Sequence, residues 1–228
     1  MASTAAFLSR AAESVASACA RTYLLLAARR ADVRFRVLRD EGTLERVGAL
    51  RKSVYSTAHS AYLLAELDAN GLDEFDRRAT AFIAEDRGAA GETFAAIRTL
   101  RHPFEVLRFV SPEFLADKLG TRDNARVIEV SRLVSSRPSR KVTNSLVLFG
   151  GVYLALHGVT RYFAYVAVPE HGSPHPPADT FRIPHRRSGD YVIMSGSIAR
   201  HAARIGPRLW RSTKSSGSAP LPRDTKRA

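Results

Sequence analysis

Two charged residues interrupt an apolar stretch of this sequence, Arg126-Val-Ile-Glu-Val-Ser-Arg-Leu-Val134. Alternation along the stretch leaves both faces mostly apolar, which is typical of a strand in the middle of a sheet. An ionised Glu129 or Arg132 in such a strand destabilises the fold by several kcal/mol unless it is paired. The stretch therefore predicts partners elsewhere in the chain or in a ligand. The spacing of the two residues places them on opposite faces of a regular strand.

Other charged residues fall close to predicted buried elements. Arg51 lies near the edge of the apolar face of a helix predicted over 44–59, where a solvated arginine is the simpler alternative. Asp73 and Asp76 flank an aromatic residue in a predicted irregular segment, and they could cap a helix, bind a cation or be solvated. Arg98 lies inside a predicted strand and again needs a partner.

The pattern of apolar residues predicts the elements that position these side chains. The two strands around a long apolar helix form a crossover unit, so we expect them to be parallel neighbours. We expect no long element over 101–125, where Pro103 and Pro112 would break one, and a loop-rich segment over 169–184. The predicted elements are strand 33–38, helix 44–59, an antiparallel hairpin of strands 79–85 and 93–100, strand 126–134, helix 142–157, strand 159–168 and strand 190–198.

Composition limits the class of protein. At 228 residues and 45% hydrophobic residues, the chain predicts one sizeable α/β domain. The formal charge of +13 predicts attraction to nucleic acid, anionic lipid or an acidic carrier protein, and charge alone does not choose among them. The single cysteine, Cys19, excludes an intramolecular disulfide and a cysteine-rich metal site and suits a reducing cytoplasm. No apolar run approaches the roughly 18 residues of a membrane span, so we expect a soluble or peripheral protein.

The two ends of the chain differ from its middle. Residues 1–31 predict an N-terminal amphipathic helix, and their Ala, Ser and Arg content with one acid, Glu13, leaves an organelle transit peptide as the alternative. Residues 206–228 are rich in Ser, Pro, Lys and Arg and predict a disordered basic tail. The predicted catalytic domain occupies 32–200.

Four short motifs within residues 33–168 resemble those of the autoinducer synthase (acyl-homoserine-lactone synthase) and N-acyl amino acid synthase branch of the GNAT acyltransferase superfamily. The motifs are Leu50-Arg-x-x-Val-Tyr55, Asp73-x-x-Asp76, Ile97-Arg98 and Glu129-x-x-Arg132. The resemblance implies an α/β (α+β) fold: a mixed, mostly antiparallel sheet with a splayed central pair of parallel strands, flanked by helices. It also implies a β-bulge in the strand of Glu129, which would free a backbone N–H to face a thioester carbonyl.

The resemblance also implies roles for individual residues. In such enzymes an acyl thioester lies in a V-shaped gap between the central parallel strands, and an amine attacks its carbonyl carbon. Glu129 is the candidate base that takes the amine proton, and a purely structural role is its alternative. Aromatic residues over 104–114 and helix 142–157 are candidates to line an acyl-chain tunnel, or are plain core. The implied substrate-binding residues are Arg51, Tyr55, Asp73, Asp76, Arg98, Arg132 and Phe104, and their charges could neutralise one another in a partly buried network.

The segment after the central strand departs from the common superfamily pattern. Most members hold the pyrophosphate of coenzyme A on a glycine-rich loop, whereas this chain has Arg137-Pro-Ser-Arg-Lys-Val-Thr-Asn144, without glycine. Arg137, Arg140 and Lys141 could instead bind a single phosphopantetheine phosphate or an acidic acyl carrier protein. We expect acyl carrier protein (ACP) as the acyl donor, acyl-CoA as the second choice, no tightly bound cofactor and no metal.

These observations predict an N-acyltransferase acting on a small amine, either an amino acid or S-adenosylmethionine. The helix after Arg51 lacks the tryptophan common in autoinducer synthases, since Trp210 is the chain's only one, and this favours an amino acid or another amine. The alternative from another class is a non-catalytic basic module for nucleic acid or an anionic membrane. Because no nucleic-acid motif is present, we expect no nucleic acid, while peripheral membrane contact stays open. A Ser-His-Asp hydrolase lacks a nucleophile-elbow sequence.

Overall fold

Seven strands form one mixed sheet in the part of the chain that the computed structural model describes. That part comprises residues 33–38, 41–56, 61–87, 91–120, 123–137, 139–167, 180–185 and 189–201. The predicted N-terminal helix and basic tail lie outside these residues, so the three predicted domain boundaries stay predictions. Among the described residues, no helix has the length and apolar composition that a membrane span needs.

The strand order follows the chain from one edge of the sheet until the last two strands exchange places. In space the order is β1-β2-β3-β4-β5-β7-β6. Only β4 and β5 are parallel, and all other neighbours are antiparallel. This arrangement confirms the predicted fold class. The strands are β1 (Val33–Leu38), β2 (Thr80–Asp86), β3 (Thr93–Leu100), β4 (Val127–Ser135), β5 (Arg161–Ala167), β6 (Thr180–His185) and β7 (Gly189–Ser197).

Helices cover both faces of the sheet. On one face, helix α1 buries Leu44, Val47 and Leu50, which recur at helical spacing, against residues of β2, β3 and β4. On the opposite face, the longest helix, α4, buries Leu146 and Leu154 against the sheet. The helices are α1 (Glu41–Tyr55), α2 (Ala61–Leu64), α3 (Pro112–Leu119) and α4 (Arg140–Leu156), with 3₁₀ turns at Asp76–Arg78, Glu105–Arg108 and Asn124–Arg126.

The central parallel strands separate along their length. Helix α4 connects β4 to β5 in the predicted crossover, and the two strands pair only from Val127↔Arg161 to Val130↔Ala164. Beyond that point β4 continues beside β3 to Ser135, whereas β5 continues beside β7 to Ala167. Two strands that keep opposite partners leave a gap between them, so the predicted splayed pair is present.

A bulge in β4 lies next to this gap. Arg98 pairs with Ser131, but Ala96, two residues earlier on β3, pairs with Val134, three residues later on β4. The extra residue is accommodated at Arg132, whose φ of 53° lies in the left-handed region. For a residue other than glycine this conformation costs roughly 1–2 kcal/mol. The predicted bulge is therefore present, and it bends β4 where pairing with β5 has just ended.

Two elements were not predicted. Helix α3, of eight residues, lies in the segment where no long element was expected: Pro112 stands at its first position, where no N–H is needed, and the Ser111 hydroxyl accepts a hydrogen bond from the Phe114 N–H. Strand β6 lies mostly in the segment 169–184, which was expected to be loop-rich, and pairs with β7 as an edge strand, the position in a sheet that tolerates its Pro184.

Candidate functional site

Three arginines and four carboxylates form one connected cluster on the α1 face of the sheet. Their side chains come from six separate parts of the sequence, and all except that of Glu66 are nearly completely buried. Charges are removed from water at this depth only when they satisfy one another. The charged cluster consists of Arg51, Glu66, Asp73, Asp76, Arg98, Glu105 and Arg132.

The pair between Arg51 and Asp76 anchors the cluster to α1. Two guanidinium nitrogens of Arg51 donate to the two carboxylate oxygens of Asp76 at 2.6 and 2.9 Å, a bidentate geometry. Burial by itself would raise the pKa of Asp76, but the hydrogen bond from Arg51 and the charges of Arg51 and Arg98 outweigh burial and lower that pKa. Asp76 is therefore ionised at neutral pH. Arg51 forms a buried ion pair with it, so the simpler interpretation of Arg51 as a solvated helix arginine is wrong.

Arg98 joins the strands to the acidic segments around them. From β3, its Nε donates to the Ser131 hydroxyl at 3.1 Å, and one terminal nitrogen donates to Asp73 at 2.6 Å. The other terminal nitrogen donates to Glu105. The side chain is 0% exposed, so these partners are the reason that a guanidinium is tolerated inside the sheet.

The bulge brings Arg132 into the same cluster. In a regular strand Arg132 would point away from Glu129 and Ser131, but the left-handed backbone turns it back to the α1 face. Its Nη2 lies 3.0 Å from Glu105 and 3.1 Å from Asp73 and also donates to Glu66. The carboxylate partners that the sequence predicted for Arg132 are thus Glu66, Asp73 and Glu105.

Two glycines allow the acidic segment to approach α1. Gly48 lies one turn before Arg51, and a Cβ on it would overlap the carbonyl oxygen of Asn70. Gly71 has a φ of 79° and lies against the backbone of Gly48 in the same way. Lys52 fixes the contact by donating to the carbonyl of Ala69 at 2.8 Å. This backbone approach places the following acidic residues within reach of the helix.

Glu129 is buried beside the cluster without an arginine partner. One carboxylate oxygen accepts the Val106 N–H at 3.2 Å, and the other is buried with no hydrogen-bond partner among the described residues. Burial raises the pKa of Glu129 to about 7, the Val106 hydrogen bond opposes that rise, and the charge of Glu105 adds to it. We expected neighbouring arginines to make Glu129 less basic. The charge of Arg98 does lower the pKa of Glu129, but burial outweighs it.

The two aromatic candidates lie on different sides of the cluster. Tyr55 is buried at the end of α1, where burial raises the pKa of its phenol against the opposing charge of Arg51. Phe104 is buried in the core under the turn that carries Glu105, with its ring edge-on to Phe163 at 5.0 Å. Tyr55 thus borders the charges, whereas Phe104 packs beneath them.

Three residues of the site escaped the sequence analysis. Glu66 and Glu105 are partners of Arg132, and burial and the charges of Glu105 and Glu129 raise the pKa of Tyr165 on β5. Glu105 follows a proline and an aromatic residue in a segment without apolar periodicity, and Glu66 follows a short helix. Neither residue therefore lies in a sequence pattern that would mark it as buried. The usable signal was the requirement that Arg98 and Arg132 each have a carboxylate partner.

The candidate carrier-binding residues lie apart from the cluster. Arg137 follows β4 and donates to both carboxylate oxygens of Asp86 at 2.8 and 2.5 Å, and its guanidinium stacks on the Phe94 ring. Arg140 and Lys141 stand in the first turn of α4, which has no acidic residue. These three residues therefore occupy the end of β4 toward which the gap opens.

The catalytic candidate lies where the central strands part. Val130↔Ala164 is the last pair between β4 and β5; Glu129 precedes it by one residue on β4, and Tyr165 follows it by one on β5. The site thus combines the buried charged cluster, the Glu129 carboxylate with one oxygen left without a hydrogen bond, and an opening in the sheet.

No protein-family model matches the chain, and no curated protein is significantly similar to it in sequence. Solved structures do share its fold. The structure of a CoA-dependent acyl-homoserine lactone synthase, BjaI, with S-adenosylmethionine (SAM) and isopentyl-CoA superposes with a TM-score of 0.56 at 14% identity, covering 78% of this chain and 90% of that one.

Two further structures superpose over most of their length. MesI, a CoA-dependent acyl-homoserine lactone synthase, gives a TM-score of 0.51 at 14% identity, with 82% of this chain and 97% of that one covered. TofI, in a ternary complex with an inhibitor and MTA, gives a TM-score of 0.51 at 17% identity, with 77% and 99% covered. The chain therefore has the fold of these synthases, in agreement with the resemblance drawn from its motifs.

Proposed function

We propose that this chain is an N-acyltransferase that moves an acyl group from a carrier thioester to the amine of a small acceptor. The observation that carries the proposal is the buried, incompletely bonded carboxylate of Glu129 beside the point where β4 and β5 separate. A gap between two strands admits an extended pantetheine arm, and a base at its edge suits an amine nucleophile. The fold shared with BjaI and MesI supports this reaction class.

The reaction needs one proton to move. The lone pair of the neutral amine attacks the thioester carbonyl carbon, the C–N bond forms and the C–S bond breaks. Glu129, ionised in part near pH 7 because its pKa is about 7, takes the amine proton, and the departing sulfur then receives that proton to become a thiol. A backbone N–H freed by the bulge at Arg132 would stabilise the oxyanion, as the resemblance implies.

The charge of the cluster favours a cationic acceptor. Four carboxylates face three guanidinium groups, so the cluster carries a net negative charge even before Glu129 ionises. Such a site attracts the ammonium form of an amine, which releases one proton to solvent before the neutral amine attacks and Glu129 takes the next. An amino acid and S-adenosylmethionine both satisfy this requirement, and BjaI with SAM supports the second. The missing tryptophan after Arg51 favours the first.

The donor enters from the open end of the gap. The N-terminus of α4 lies there, and its Ser139 cap, Arg140 and Lys141 suit the single phosphate of phosphopantetheine. ACP remains our first choice because the chain is strongly basic, and the CoA-dependent neighbours support acyl-CoA as the second. Either thioester acts as a co-substrate, and we place the enzyme in the cytoplasm, where both carriers occur.

Mass spectrometry of lipid extracts from cells that express the chain tests the proposal. We expect a new acylated amine, absent from cells that express Glu129→Gln. With purified protein, the same substitution should lower acyl transfer by at least about 100-fold, the usual contribution of a general base. The melting temperature should be unchanged or higher, because the buried glutamine amide carries no charge to desolvate.

Two outcomes would contradict the proposal. If no acylated amine forms from either acyl-ACP or acyl-CoA, the reaction class is wrong. If Glu129→Gln loses activity and melting temperature in parallel, Glu129 has the structural role that was its alternative.

A further inference from the structure

Glu105 stands between the arginines of the cluster and the proposed base. It is 2% exposed and lies on the 3₁₀ turn Glu105–Arg108, between β3 and α3. One of its oxygens accepts from Arg98 and the other lies 3.0 Å from Nη2 of Arg132. The next residue, Val106, donates its backbone N–H to Glu129. One short turn therefore holds two arginines and the proposed base together.

Both arginines lie on the face of the sheet that carries Glu129, and the charge of Arg98 acts on its carboxylate. Ser131, the residue to which Arg98 donates, lies on the same face of β4 as Glu129 and two residues further along. Arg132 follows on the same strand and is turned to that face by the bulge. Yet no ion pair joins either guanidinium to Glu129 among the described residues: both terminal nitrogens of Arg98 and Nη2 of Arg132 are held by Asp73, Glu105 and Glu66, whereas Nε of Arg132 has no hydrogen-bond partner.

We propose that Glu105 is a positioning residue for Glu129: by binding Arg98 and Arg132 it keeps both guanidinium groups off the Glu129 carboxylate, which is left able to accept a proton. This inference rests on the proposed function, because it explains how a carboxylate beside two arginines remains a base. The charged and titratable groups that face Glu129 are Glu105 from the turn, Arg98 from β3, Arg132 from β4 and Tyr165 from β5.

Removing the charge of Glu105 should therefore allow an arginine to form an ion pair with Glu129. In Glu105→Gln the two guanidinium groups lose a carboxylate, and Glu129 is the nearest one without an arginine. A carboxylate that gains an arginine titrates below the ordinary value of about 4.3, whereas one that merely becomes hydrated returns to that value. The two explanations of a fall in pKa are thus distinguishable.

The experiment is a pH titration of the Glu side-chain carboxyl carbons by NMR in ¹³C-labelled protein, with the Glu129 signal assigned by its loss in Glu129→Gln. We expect a pKa near 7 in the unsubstituted protein and below about 4.3 in Glu105→Gln. A value that stays near 7, or that falls only to about 4.3, would overturn the proposal. The pH midpoint of acyl transfer should fall in the same direction.

Two control variants complete the experiment. Glu105→Asp keeps the charge, so Glu129 should still titrate above about 4.3, and a lower value would contradict the proposal. Glu85→Gln removes another buried carboxylate, which binds Arg36 and Arg46 on the edge side of the sheet, and it should leave the Glu129 titration unchanged. Because the titration needs no substrate, it can succeed even if acyl transfer is never found, which separates failure of this inference from failure of the proposed function.

Discussion

Two arginine–aspartate pairs in this protein have the same fork geometry in opposite surroundings. Arg51 contacts Asp76 at 2.6 and 2.9 Å with 1% and 2% of the side chains exposed, whereas Arg137 contacts Asp86 at 2.8 and 2.5 Å with 44% and 22% exposed. Hydrogen bonding to arginine lowers the pKa of both aspartates, although burial opposes the fall most strongly at Asp76. The two ion pairs therefore differ in their burial and not in their hydrogen-bond geometry.

The difference bears on what each pair can do. A buried pair cannot lose one member without leaving a charge away from water, so the Arg51–Asp76 pair is fixed. An exposed pair exchanges its partner at little free-energy difference, because water and salt screen the charges. Arg137 can therefore leave Asp86 for a phosphate or an acidic carrier surface, while Arg51 keeps its aspartate throughout.

The largest expected effect comes from breaking the buried pair. Asp76→Asn leaves the Arg51 guanidinium without its counter-charge and should lower the free energy of unfolding by about 3–5 kcal/mol. Urea denaturation followed by circular dichroism measures it. A loss no larger than that of Asp86→Asn would show that burial does not distinguish the two pairs.

Replacing the whole buried pair sharpens the same test. The double variant Arg51→Met/Asp76→Leu removes both charges at similar volume, so it should recover much of the stability lost in Asp76→Asn. Acyl transfer should be lost both in Asp76→Asn and in the double variant. Recovery of both stability and activity would mean that the pair serves the fold alone.

The second effect is a dependence of stability on pH that comes from Glu129. Its folded pKa of about 7 lies above the unfolded value, so the folded state binds more protons between about pH 4.5 and 7, and stability falls as pH rises through that window. The loss attributable to Glu129 is on the order of 3 kcal/mol. Unfolding free energies of the unsubstituted protein and Glu129→Gln should diverge across the window, and parallel curves would contradict the raised pKa.

A smaller effect is expected at the exposed end of β4. Reversing two charges there, in Arg140→Glu/Lys141→Glu, should raise the Michaelis constant for acyl-ACP about tenfold, since like charges would then face each other at the docking surface. Acyl pantetheine, which has no protein surface, should be affected less. Equal increases for both donors would argue against docking of a protein carrier.

The smallest effect is expected for the exposed pair itself. Asp86→Asn frees Arg137 and should leave the melting temperature nearly unchanged. The Michaelis constant for acyl-ACP should fall slightly, because Arg137 loses the nearer of its two competing carboxylates and keeps only Glu92, at 3.8 Å, among the described residues. An increase would show that Asp86 holds Arg137 in its working position.

The sequence predicted most of the fold because its apolar periodicity is strong. Strands β1 to β5, β7 and helices α1 and α4 follow directly from alternation or helical spacing, and the parallel pair follows from the crossover rule. Helix α3 was missed because Pro112 was interpreted as a breaker although Ser111 before it is a cap. Strand β6 was missed because it depends on tertiary pairing with β7, and its proline-containing sequence has no strand pattern of its own.

The site was predictable in part of its membership but not in its pairing. Arg51, Asp73, Asp76, Arg98 and Arg132 do come together, and each was placed by its motif. Which carboxylate binds which arginine depends on the turn at Glu105 and on the bulge, and neither has a periodic signature. Glu129 was expected among the arginines, and it lies beside them instead.

The bulge in β4 is separable from the architecture that contains it. Ser131 and Val134 would face Arg98 and Ala96 on β3 equally well if the strand were one residue shorter, because the residue at Arg132 is extra to the ladder. A chain with Arg132 deleted should therefore have a straight β4 that continues beside β5 past Ala164 and closes the sheet, at the cost of the buried counter-charge of Glu66, Asp73 and Glu105. A single codon would then mark the boundary between an open and a closed sheet of the same topology.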